Sequence, residues 1–182
     1  MDTKMSDEQE LISGCKRKDI EARKKLYELY APAMLGICVR YVVEKETARD
    51  ILHEGFIKVF TKIDSYAGAG SFEGWIRRIF VTSALEYIRS AKAFSGNVSL
   101  DYYDEKVENC DTSIVEKLSA EEIMQCINEL PTGFKTIFNL YAIEGYSHVE
   151  IAEMLNIQEV SSRSQFSRAR QLLQTKIQNL YK

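Results

Sequence analysis

Residues 145–174 read GYSHVEIAEMLNIQEVSSRSQFSRARQLLQ. Ser147 and Glu150 have the spacing of a capping box, in which each side chain satisfies the other residue's backbone N–H, so a short helix is expected over HVEIAEMLN. Asn156 suits the left-handed position that ends such a helix. A second helix then runs from about Val160 to Leu180, with Phe166, Ala169, Leu173, Ile177 and Leu180 facing inward. That leaves Arg163, Ser167, Arg170 and Gln174 on the outer face, with Ser164, Arg168 and Gln171 beside them. No Asp or Glu occurs from Ser161 to the end, although the chain carries a formal net charge of -3.

Two short helices joined by the turn NIQE, the second with a face of donors and hydroxyls, form a helix-turn-helix pattern. In that arrangement the second helix enters the major groove of DNA, where Arg pairs with guanine, Gln with adenine, and Ser or Arg with phosphate. An acid on the same face would lie against phosphate. The candidate duplex-reading residues are Ser161, Arg163, Ser164, Gln165, Ser167, Arg168 and Arg170.

The rest of the chain gives this pattern an all-α setting. Two prolines and nine glycines in 182 residues suit long helices with few tight turns. Cys15, Cys38, Cys110 and Cys126 are far apart and form no C-x-x-C pair, which argues for reduced thiols in the cytoplasm. No apolar run approaches the roughly 20 residues of a membrane span, and MDTKMSDEQE is too acidic for a secretory signal. A pI near 5.6 places any nucleic-acid contact in local charge, not in the total.

Helical spacing organises the N-terminal half. A short helix is expected from Ser6 to Gly14, then a stripe of Ala22, Leu26 and Leu29 that Pro32 should break or kink, then an apolar stretch from Met34 to Val43. From about Glu46 to Ile63 one stripe holds Ala48, Leu52, Phe56, Val59 and Ile63, and another holds Asp50, Glu54, Lys58 and Lys62. After the glycine-rich DSYAGAGS, a helix begins near Phe72 with Trp75, Ile79, Ala84 and Ile88 as its buried comb and Arg77, Arg78 and Arg89 outside. Periodicity then fades, and Asp101, Asp104, Glu105, Glu108 and Asp111 mark an acidic flexible linker. Ser119 and Glu122 form another capping box, and Phe134, Ile137, Phe138 and Tyr141 form a core stripe that stops at Gly145. The expected fold is therefore two small helical domains, residues 6–92 and 119–182, joined by a linker over 93–118.

Two blocks together resemble the extracytoplasmic-function (ECF) group of bacterial RNA polymerase sigma factors. ARDILHEGFIKVFTKIDSYAGAGSFEGWIRRIFVTSALEYIRS is similar to the family's promoter-melting domain, and LPTGFKTIFNLYAIEGYSHVEIAEMLNIQEVSSRSQFSRARQLL to its C-terminal helix-turn-helix domain. The resemblance implies a transcription initiation factor that binds core RNA polymerase through its clamp coiled coil and flap. It would read the -35 element as duplex and hold the -10 element as single strand. Asp50, His53, Glu54 and Phe56 match the family's D-x-x-Q-E-x-F stretch, which implies docking on the clamp. Phe72, Trp75, Arg78, Thr82 and Arg89 match the pattern that holds the -10 strand. Tyr66 and Arg77 add aromatic and cationic chemistry to the same region. The family also implies regulation by an anti-sigma factor.

The match is not uniform. His53 replaces the usual Gln, Thr82 the usual Asn and Glu86 the usual Asp. Val160 stands where Gly is usual, and would be strained if that position required a positive φ. His53 and His148 lie apart from each other and from any Cys cluster, so neither metal binding nor catalysis is expected, and no cofactor motif or enzymatic site presents itself. Without the resemblance, the helix-turn-helix also fits a homodimeric repressor or activator that binds duplex without polymerase. An adaptor that has lost DNA binding is the third reading.

Overall fold

The computed structural model describes residues 2–95 and 119–180, and these are helical with short connections. The chain divides into two compact units, Met1–Gly96 and Asn97–Lys182.

The first unit contains α1 (Asp2–Lys16), α2 (Ile20–Tyr41), α3 (Lys45–Lys62), a 3-10 turn (Ile63–Ser65) and α4 (Phe72–Ser95). Lys18 takes a positive φ of 64° between α1 and α2, and Asp19 then caps α2 by accepting from the backbone N–H of Glu21 and Ala22 at 2.8 and 3.1 Å. α2 passes through Pro32 as one helix. The helix is not broken there: Pro32 and Glu28, whose carbonyl loses its N–H partner, are both exposed residues on the solvent side. Leu26, Tyr30, Met34, Ile37, Cys38 and Tyr41 continue the buried stripe across it. α3 buries Ala48, Ile51, Leu52, Phe56 and Val59, and α4 buries Phe72, Ile76, Phe80, Val81 and Ala84.

At the α3–α4 contact, Gly55 is where the chain needs the smallest residue. A Cβ there would lie 2.7 and 2.8 Å from Cδ1 and Cζ of Phe80, well inside van der Waals contact. Residues 93–95, read from sequence as linker, continue α4, and the rest of the expected acidic linker lies outside the described residues.

The second unit contains α5 (Ala120–Asn128), α6 (Thr132–Phe138), a π turn (Asn139–Ile143), α7 (His148–Leu155) and α8 (Glu159–Asn179). Both expected capping boxes form, Ser119 with Glu122 and Ser147 with Glu150. Pro131 is the N-cap of α6. Cys126 and Ile127 of α5 pack on Leu173 and Ile177 of α8, and Leu130 and Phe134 pack on Ala169. Leu180 is the exception to the expected inward stripe: it follows the last helical residue and is 58% exposed.

Candidate nucleic-acid interface

A buried hydrogen bond joins the two helices of the helix-turn-helix. His148, the first residue of α7, places Nδ1 2.9 Å from the hydroxyl of Ser162 in the first turns of α8. The imidazole stacks on Tyr141 with ring centroids 4.2 Å apart, and Phe166 of α8 packs against both rings. Burial, reinforced by the nearby Arg163 guanidinium, holds the His148 pKa below its usual 6.5, with Glu159 opposing the shift. This histidine is thus packed between two aromatic rings and paired across the turn with Ser162.

Asn156 takes the left-handed conformation, φ 54° and ψ 51°, and α8 starts after Gln158 at φ -76°. Val160 is therefore an ordinary helical residue in the first turn. The sequence-based concern about strain there is removed, since the positive φ falls on Asn156.

Opposite the buried Ser162, Ala169 and Leu173, α8 exposes Arg163, Ser164, Ser167 and Arg170. Ser161, Gln165 and Arg168 are half-buried. The Ser164 hydroxyl donates to the Ser161 carbonyl at 3.1 Å, so in this state it is engaged by its own helix. The face is less purely cationic than the sequence suggested. Arg163 donates through Nε (2.9 Å) and Nη2 to Oε1 of Glu159, one turn earlier. The Glu-to-Arg spacing of four residues was the signal for this pair.

In the first unit, an aromatic loop precedes α4. Tyr66 donates its hydroxyl to the Gly70 carbonyl at 2.9 Å, and Lys16 Nζ donates to the Tyr66 carbonyl at 3.0 Å. Gly68 and Gly70 have φ of 80° and 78°, which lets the short loop turn back on itself. The Ser71 hydroxyl accepts from the backbone N–H of Gly74 at the helix start. Tyr66, Phe72 and Trp75 form a ring cluster with centroids 5.1 to 5.6 Å apart.

The candidate residues of this region divide by position. Phe72 has 0% exposure and also meets Tyr30, so it supports Trp75 from below and offers no face to a base. Trp75 is half-buried, with one side packed and part of the indole reachable. Counting about 100° per residue, Arg78, Thr82 and Arg89 fall within about 60° of Trp75 on α4, whereas Arg77 lies about 160° away. Arg77 is half-buried and belongs to another side of the helix. The Thr82 hydroxyl donates to the Arg78 carbonyl at 2.8 Å.

On α3, Asp50, His53 and Glu54 are exposed side by side, but Phe56 is only 3% exposed and packs against Tyr27, Phe60 and Phe80. Phe56 is core, not a docking contact: three residues on from His53 the helix has already turned inward. The exposed apolar residue next to this acidic group is Ile57, 65% exposed, which the sequence motif did not single out. Lys58 links this face to α4, reaching Glu86 at 2.6 Å, Ser83 at 3.1 Å and Glu54 at 3.6 Å. Glu86 is thus occupied by a bridge between helices. Among the described residues no group of three or more His, Cys, Asp or Glu could hold a metal ion, and no described helix is long and apolar enough to cross a membrane.

Two helical units, one with an aromatic loop ahead of a basic helix and the other with a helix-turn-helix, each match a known domain. The Sigma-70 region 2 family model matches residues 26–94 and the Sigma-70 region 4 model residues 120–173, so the chain belongs to the sigma-70 family. It is 30% identical over 183 residues to the ECF RNA polymerase sigma-E factor of Haemophilus influenzae, covering 95% of this chain and 96% of that protein. Identity to the ECF RNA polymerase sigma factor SigW of Bacillus subtilis is 26% over 179 residues, covering 93% and 96%. Within the family the chain is a member of the ECF group: a transcription initiation factor that binds core RNA polymerase and promoter DNA.

The fold agrees with solved structures. The sigma factor RpoE of Bartonella quintana, solved in complex with the anti-sigma factor NepR, aligns with a TM-score of 0.55 at 19% identity, covering 87% of this chain and 98% of that one. CnrH, solved with the cytosolic domain of CnrY, aligns with a TM-score of 0.52 at 16% identity, covering 93% and 96%.

Proposed function

We propose that the two units divide promoter recognition between duplex and single strand. α8 lies in the major groove of the -35 element, with Arg163 and Arg168 toward bases and Arg170 with the serines Ser161, Ser164 and Ser167 toward phosphate. Gln165, half-buried at the flank, holds the edge of this contact. The loop from Tyr66 to Ser71 and the α4 face of Trp75, Arg78, Thr82 and Arg89 take the unpaired -10 strand, stacking a base on the indole and neutralising phosphates with the arginines. Melting is then differential binding: the open strand gains contacts that paired DNA cannot reach. The α3 face of Asp50, His53, Glu54 and Ile57 docks on the clamp coiled coil of core polymerase, and the C-terminal unit docks on the flap.

The observation that carries this reading is the coexistence in one chain of a helix-turn-helix with an exposed Arg/Ser face and a separate aromatic and cationic helix start. A regulator of duplex alone needs only the first. The protein works in the cytoplasm, where polymerase and DNA are, and performs no covalent chemistry of its own. An anti-sigma factor covers these surfaces when the chain is idle; the Bartonella quintana sigma factor of the same fold was solved with such a partner.

The test is transcription in vitro with core RNA polymerase lacking other initiation factors, over fragmented genomic DNA. Start sites that depend on the chain and share two spaced upstream elements are the expected result. Tight binding to duplex by the chain alone, with no factor-dependent starts, would replace this reading with a repressor or activator.

A further inference from the structure

We infer that Val160 contacts the C5-methyl group of a thymine in the upstream duplex element and so selects one base by shape. The inference rests on the reading of α8 as the duplex-reading helix. Val160 sits in the first turn of α8 and is 73% exposed. At about 100° per residue, Ser167 and Gln171 lie about 20° to either side of it, Ser164 about 40° and Arg163 about 60° away. The core residues Ser162, Ala169 and Leu173 lie on the opposite side and are buried. Val160 is thus at the middle of the exposed face, and those neighbours are all polar.

Neither packing nor helix formation explains the residue. At 73% exposed its side chain is no part of the core of the C-terminal unit, and a β-branched side chain favours a helix start less than the straight-chain alternatives do. A solitary exposed valine is ordinary on a protein surface. This one occupies the turn of a recognition helix that comes nearest the base edges. On the major-groove edge the apolar group offered by the four standard bases is the thymine methyl. A valine there gains by covering that methyl and loses nothing by lacking a donor, while Arg163 one turn later supplies the hydrogen bonds.

The experiment uses the full chain assembled with core RNA polymerase on one of its mapped promoters. Each thymine of the upstream element is replaced singly by deoxyuridine, which removes the methyl and keeps the base pair. With the wild-type chain, one replacement should weaken complex formation about fourfold, the worth of one buried methyl group. Val160→Ala should bind the thymine template about as weakly and be indifferent to the replacement at that position. Val160→Thr, which keeps the branched shape and one methyl, should retain part of the discrimination, and unchanged melting curves for both variants would show an intact helix start. The inference is overturned if wild type and Val160→Ala show equal thymine-to-uracil ratios at every position, or if the element holds no thymine. Should that happen while Arg163→Ala still abolishes selection of the element, α8 keeps its role and Val160 alone is misassigned. Should Arg163→Ala and Arg168→Ala both select the element as wild type does, the role of α8 itself fails and this inference with it.

Discussion

The Nδ1 atom of His148 and the hydroxyl of Ser162, 2.9 Å apart and both buried, join the two helices of the helix-turn-helix near their N-terminal ends. The contact ties the start of α8 to the start of α7. Ser162→Ala leaves a buried imidazole nitrogen without its partner and should cost the C-terminal unit about 1–3 kcal/mol. Chemical denaturation followed by a probe in that unit measures it; a cost near zero would mean that water takes the hydroxyl's place.

His148 also makes this unit sensitive to pH. Its pKa in the folded state is depressed, first by burial and then by Arg163, with Glu159 opposing. The fold therefore favours the neutral ring. That stability is fully present above the unfolded value of about 6.5 and is lost as the pH falls below it toward the folded pKa. A melting temperature measured from pH 7.5 down to 5 should decline for wild type and decline less for His148→Gln.

In the first unit, Gly55→Ala tests the α3–α4 contact. The added methyl meets the ring of Phe80, itself fixed by Phe56, so overpacking should destabilise the unit by about 1–3 kcal/mol. Thermal unfolding reads the effect, and an unchanged midpoint would mean that the helices separate freely.

Phe72 and Trp75 should fail in different ways. Phe72→Ala removes a fully buried ring and should destabilise the fold by about 3–5 kcal/mol. Trp75→Ala removes a half-buried indole, and should chiefly lower open-complex formation, by about 1–3 kcal/mol if one base stacks there. Unfolding curves and open-complex lifetimes on the same variants separate the two roles.

On α3, Asp50→Lys reverses an exposed charge away from the Lys58 bridge. It should leave unfolding almost unchanged while slowing association with core polymerase, and the slowing should shrink as salt is raised. An unchanged association rate would remove Asp50 from the docking face.

Much of the fold is legible in the sequence. The capping boxes at Ser119 and Ser147 and the left-handed Asn156 are local signals, governed by side chains within three residues, and all three form as the spacing implies. What spacing alone does not give is the depth at which a residue sits. Phe56, Phe72 and Arg77 belong to stretches that spacing alone cannot orient: a motif names residues along the chain, while burial depends on which neighbouring helix packs there. Pro32 is tolerated for the same reason, since a missing N–H on the wet side of a helix costs less than one in the core. Ile57 lies one residue past the matched stretch and Glu159 in the NIQE stretch read as the turn before the recognition helix, so the motifs drew no attention to either, although the pairing of Glu159 with Arg163 follows from their separation.

The division of labour between the two units is tested most directly by permanganate reactivity of unpaired thymines at a mapped promoter. Wild-type holoenzyme should expose reactive thymines in the -10 element. Trp75→Ala should bind the same duplex with that reactivity reduced, and Arg163→Ala should bind the duplex more weakly but still hold a template whose -10 region has been opened by mismatches. Full reactivity with Trp75→Ala, or loss of the pre-opened template with Arg163→Ala, would contradict the account.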